Sequence, residues 1–116
     1  DLDTTLRPGE LVIAVEIPPL DFAVRSRYRK VRERASYAFA LVSVAAVLQP
    51  DGTGRLAFGG LAHKPWRVEA AEQRIGQGAR ATAGAVLAGA RTTPQNAFKT
   101  TLVERTLDAV FSSARA

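Results

Sequence analysis

The chain has 116 residues, 47% of them hydrophobic and 23% charged, the balance of one folded domain with its own core and not that of a disordered chain. It contains no cysteine, so disulfides, thiolate metal sites, Cys-ligated iron–sulfur clusters and a Cys nucleophile are excluded from this segment, and the redox compartment stays open. The net charge of +5 comes from 16 Lys and Arg against 11 Asp and Glu. Six cations between Arg25 and Arg34 face only Glu33 there, so the basicity is local and a general nucleic-acid reading weakens.

No apolar run reaches the length that a bilayer demands, because the Pro50-Asp51-Gly52 turn and Arg55 cut the longest one short. The expectation is a soluble domain, cytoplasmic or periplasmic. Methionine is absent as well, and the favoured explanation is a piece of a longer polypeptide.

In chain order, Arg7-Pro8-Gly9 marks a turn, and Glu10 to Ile17 is rich in β-formers before Pro18-Pro19 closes it, which predicts a first strand. Residues 20 to 26 read as a loop, and Tyr28 to Arg32 as a short extended segment. Ala38 to Leu48 reads as a long strand, whose LVSVAAVL run is apolar except for Ser43 and so buried on both faces or nearly so. Pro50-Asp51-Gly52-Thr53-Gly54 is a hairpin turn, and Arg55 to Leu61 pairs back antiparallel.

Beyond Trp66 the pattern turns helical. Val68 to Ile75 is a first helix, with Gly76 and Gly78 at its end, and the alanine-rich stretch from Ala81 to Ala90 a second. Thr93-Pro94 opens a third, in which Phe98, Leu102, Val103, Leu107, Val110 and Phe111 recur at helical spacings as one core stripe. Strands followed by helices predict an α+β domain: an antiparallel sheet of about three to four strands, then a small three-helix layer.

The catalytic inventory is thin, and no triad can be assembled from it. His63, the one histidine, falls in a turn between strand and helix, where it is expected to cap or bond the backbone. Glu69 and Glu72 form an i, i+3 pair that calls for solvent or for Arg67, and not for a metal. Gly59-Gly60 is expected to relieve crowding at a strand end, and Trp66 to plug the sheet–helix junction. Lys30, from the residues alone, is a solvated strand-edge cation of the kind that blocks aggregation.

Three separate motifs carry a resemblance. They are Thr5-Leu6-Arg7-Pro8-Gly9-Glu10-Leu11; Tyr28-Arg29-Lys30-Val31 with Arg34 and Tyr37-Ala38; and Phe58-Gly59-Gly60 through Lys64-Pro65-Trp66-Arg67 to Ala71-Glu72. In order and spacing the chain resembles the C-terminal domain of the FAD-binding subunit of molybdenum hydroxylases, the family of xanthine dehydrogenases, carbon monoxide dehydrogenase flavoproteins and bacterial aldehyde oxidoreductases. The wording of Tyr37-Ala38-Phe39-Ala40 and His63-Lys64-Pro65-Trp66-Arg67 is most similar to the aldehyde oxidoreductase flavin subunits.

That resemblance implies a covering domain that closes over a flavin held mainly by an upstream FAD-binding domain of the same subunit. It further implies iron–sulfur clusters and a molybdenum cofactor in partner subunits, and a lone domain that is catalytically inactive. Carried over, Lys30 and Tyr37 are the cofactor-binding residues. Lys30 would stabilise negative charge on the reduced ring and Tyr37 would lie on a ring face. Arg25, Arg27, Arg29, Arg32 and Arg34 either hold a neighbouring subunit or form solvated surface. Isolated from the missing domain, the piece is expected to dimerise through exposed surface. The contrasting reading is a small basic nucleic-acid- or protein-binding module that uses the Arg25 to Arg34 patch.

Overall fold

The computed structural model describes residues 4–19 and 25–115. Three antiparallel strands stand in sequence order: β1 (Arg25–Val31), β2 (Val42–Leu48) and β3 (Gly54–Gly59). A four-residue α1 (Glu69–Glu72), a 3-10 turn at Ile75–Gln77, α2 (Ala79–Val86) and α3 (Phe98–Arg115) follow. This is the α+β order of strands first and helices afterwards.

Alternation in the strands decides where the core sits. Val42, Val44 and Ala46 of β2 share a face with Leu56 and Phe58 of β3, and all five are buried. The helices close over that face with Ala71, Ile75, Ala83 and Val86, and with Val103, Leu107, Val110 and Phe111 of α3. The α3 stripe is core as its spacing predicts, with one exception: Phe98, at the first turn, is half exposed. Two threonines are buried among these residues, and each returns its hydroxyl to a carbonyl four residues back, Thr82 to Gly78 at 2.9 Å and Thr106 to Leu102 at 2.7 Å.

The β2–β3 hairpin turns on Asp51, whose carboxylate accepts from the Thr53 amide at 2.9 Å and the Thr53 hydroxyl at 2.7 Å. Those bonds, the hydroxyl first, hold the Asp51 carboxyl below its ordinary pKa.

The strand expected at Glu10–Ile17 does not form. The segment makes no ladder with the described strands, and its side chains are exposed. High β-propensity records how well a residue fits a half-buried pleated surface, and here no such surface receives it. Most of the loop expected at 20–26 lies outside the described residues, while Arg25 and Ser26 belong to β1. β2 starts at Val42, not Ala38, because the chain is still turning through residues 33–37 and reaches the ladder only after the Leu41 amide bonds Val31 O at 2.9 Å. The first helix breaks after Glu72 and resumes as the 3-10 turn.

Candidate functional site

β1 sorts its side chains by parity. Its partners in β2 set Arg25, Arg27, Arg29 and Val31 opposite Leu48, Ala46, Val44 and Val42, on the helix side of the sheet. Ser26, Tyr28 and Lys30 stand opposite Val47, Ala45 and Ser43, on the side that no helix among the described residues covers.

On the helix side the cations have work within the chain. Arg25 donates to Ala114 O, and Arg27 donates through Nε and Nη2 to Ser113 O, each at 3.2 Å. These carbonyls end α3, where the helix dipole favours positive charge. Arg34 donates to Tyr37 O at 2.7 Å. Arg29 and Arg32 make no such bond among the described residues. The basic cluster is therefore partly a fastening between an edge strand and the last helix.

On the open side, Lys30, Ser43 and Gly59 form one cross-strand row, and Tyr28, Ala45 and Ala57 the next. Small residues give this face a low floor, with Lys30 and Tyr28 standing at its β1 edge; farther along, Tyr28, Arg55 and Arg67 border a shallow depression of about 500 Å³. Gly59 keeps the floor low, and a Cβ there would lie 2.5 Å from Ser43 Oγ and turn that hydroxyl aside. Gly60 has φ of 79°, and a Cβ would come within 2.6 Å of Leu41 O and 2.7 Å of Ala40 O. Both glycines serve packing, as the sequence predicts.

That close approach at Gly60 seats the base of the loop joining β1 to β2. Tyr37 lies in this loop, fully exposed, with φ of 49° in the left-handed region that a bulky residue enters only when its surroundings hold it there. Phe39 is equally exposed. The structure thus sets Lys30 and Tyr37 at one end of the sheet, Lys30 on its open face and Tyr37 in the loop beyond, with no hydrogen bond between the two. Tyr28 and Ser43 were not singled out as site residues from sequence. The signal for Tyr28 was its spacing of two from Lys30 in an extended segment.

Arg67 and Glu72 meet as expected, through paired bonds of 2.8 and 2.9 Å, with Glu69 at 3.7 Å. The hydrogen bond from Arg67 is the largest influence holding the Glu72 carboxyl below its ordinary pKa, and Glu72 in turn raises that of Arg67. Two expectations need correction. His63 is exposed and makes no side-chain hydrogen bond among the described residues. Trp66 does sit at the sheet–helix junction, but its backbone fastens it, through 2.8 Å bonds in both directions with Phe58, and the residue remains more than a third exposed.

The chain is 56% identical over 115 residues to the aldehyde oxidoreductase FAD-binding subunit PaoB of Escherichia coli, a match that takes in 99% of this chain and 36% of that protein. It is 37% identical over 76 residues to the glyceraldehyde dehydrogenase medium chain of Sulfolobus acidocaldarius, covering 62% of this chain and 26% of that one. The chain thus spans about a third or less of the length of these curated relatives. No protein-family model matches it.

Proposed function

The chain is kin, along its whole length, to an aldehyde oxidoreductase FAD-binding subunit, and on that premise we propose that it is the covering part of such a subunit in a molybdenum-hydroxylase-type oxidoreductase. The observation that supports this most is the open face of the sheet, where Lys30 stands beside a floor of Ser43, Ala45, Ala57 and Gly59 and the Tyr37 loop closes the same end.

These residues suit the ring of FAD. A low, flat floor admits a planar group, an ammonium beside it suits a ring edge that gains negative charge, and an exposed phenol can cover a face. They do not suit the diphosphate: α1, which follows Gly59-Gly60, is four residues long and carries too little dipole to hold it. Holding the phosphates falls to the rest of the subunit, the upstream FAD-binding domain.

FAD, when bound, takes up electrons released by substrate oxidation and hands them to an acceptor. In this reading those electrons arrive from the iron–sulfur clusters, and ultimately the molybdenum cofactor, of partner subunits. The contribution of this chain is to orient and shield. Lys30 holds a positive charge at the ring edge, from a strand whose opposite face Arg25 and Arg27 fasten to α3. Tyr37 excludes water from one face of the ring.

The test is Lys30→Gln in the full-length subunit. FAD retention is expected to weaken roughly tenfold, the scale of one lost charge-assisted hydrogen bond, or the flavin potential to fall. Unchanged retention together with an unchanged potential would remove Lys30 from the site. The 116-residue chain alone should bind FAD only in the millimolar range, as a roughly estimated handful of ring contacts allows, whereas a tight stoichiometric flavin on it would overturn this division of labour.

A further inference from the structure

Among the described residues the largest unexplained apolar surface is the segment from Leu11 to Ile17. Leu11, Ile13, Val15 and Ile17 are 83%, 95%, 79% and 84% exposed. They occur at every second position and would share one face of a strand. Val12, on the other face, is largely exposed too. No backbone group of this segment bonds to another described residue. Its ends are nonetheless well defined: the Glu10 amide bonds Arg7 O at 3.0 Å and the Glu10 carboxylate accepts from the Arg7 amide at 2.8 Å, while Pro18-Pro19 closes the far end. A stretch bounded in this way has the length of an ordinary strand and both of its unmet needs, hydrogen-bond partners and a surface for its apolar face.

We infer that Leu11–Ile17 is a donor strand, which adds to the edge of a sheet with an apolar face in the flavin-holding remainder of the subunit. This rests on the reading of the chain as part of a longer FAD-binding subunit. The E. coli relative, which this chain matches over 99% of its own length, extends well beyond the match, so that polypeptide has chain to spare for a receiving sheet.

Two other occupants fit less well. Added to the free edge of β1, the segment would set its four large side chains beside Arg25, Arg27 and Arg29 or beside Ser26, Tyr28 and Lys30. Neither row covers them. Paired with its counterpart in a second copy, it would form a two-stranded ribbon with its apolar face still in water, an arrangement of marginal stability. A sheet of three or more strands that already packs against something meets both needs at once.

The experiment is hydrogen exchange on the full flavoprotein subunit and on the 116-residue chain, at dilute protein, with FAD content measured on the same samples. The expected result is that amides from Leu11 to Ile17 exchange about 100-fold or more slowly in the subunit than in the chain alone, the protection of a strand held in a ladder. An Ile13→Lys subunit should lose that protection while the amides of β2 and α3 keep theirs. Equal and fast exchange in both samples would overturn the inference. So would slow exchange in the dilute chain alone, which would assign the segment to its own sheet, or protection that rises with chain concentration, which would assign it to a second copy. Protection without bound FAD would sink the flavin reading and leave the donor strand standing; bound FAD without protection would do the reverse.

Discussion

Glu72 accepts a hydrogen bond from the Leu56 amide at 2.9 Å while its carboxylate is gripped by Arg67. A residue at the end of a four-residue helix therefore closes the outer edge of β3, and the backbone of Trp66 closes the next stretch of the same edge at Phe58. An edge sealed in this way offers no template for another strand.

Removing that carboxylate should be costly. In Glu72→Ala the Leu56 amide loses its acceptor in a partly buried place, and the expected loss is about 1–3 kcal/mol, read as a lower urea midpoint with unchanged slope. Glu72→Gln, which keeps an oxygen for the amide but loses the ion pair, should fall between the two. A full loss in the glutamine variant would assign the whole effect to Arg67.

Acid should act on the same group. The Glu72 carboxyl has a folded-state pKa below the ordinary 4.5, first through the Arg67 hydrogen bond. A depressed pKa means that the unfolded state binds the proton more readily. The stabilisation is then complete above pH 4.5 and lost as pH falls through the folded value. Urea midpoints should decline below pH 4.5 in the parent chain, and that decline should be shallower in Glu72→Gln.

Two glycine substitutions should differ in sign. Gly60→Ala meets both a positive φ and the carbonyls of Ala40 and Leu41, so the backbone strain alone is worth about 1–2 kcal/mol and the overlap adds to it. Gly84 lies exposed in α2 with nothing within 4 Å of an added Cβ, so Gly84→Ala should stabilise by about 0.5–1 kcal/mol. Thermal melts of the two variants check both.

Tyr37 separates stability from function. Its left-handed backbone suits glycine, and the ring is fully exposed. Tyr37→Gly should stabilise the chain by up to about 1–2 kcal/mol. The same variant in the full subunit should expose the flavin, measured as faster quenching of flavin fluorescence by iodide. Stabilisation without a change in quenching would leave Tyr37 no place at the ring.

The sequence made the order of elements legible because the apolar run of Val42–Leu48 and the nearly four-residue period of Phe98–Phe111 are strong and each finds a partner inside the chain, although the run is not buried on both faces, Ala45 being exposed on the open side. Glu10–Ile17 finds no ladder among the described residues because propensity announces a strand without saying where its neighbour is. The loop between β1 and β2 was read partly as strand, since Ala38 to Leu41 continue an apolar run whose departure from the ladder depends on Gly60 receiving two carbonyls. Lys30 came from resemblance; that it shares a face with Tyr28 and Ser43, and that Arg25 and Arg27 serve the opposite face, follows only from the register of β1 on β2.

That register makes β1 intolerant of a change in length. Deleting one residue between Val31 and Val42 and letting the strand slide by a single step would swap its two rows, turning the ammonium of Lys30 to the α3 side and aiming three guanidinium groups the other way. The loop's length thus encodes which kind of cation the exposed face displays.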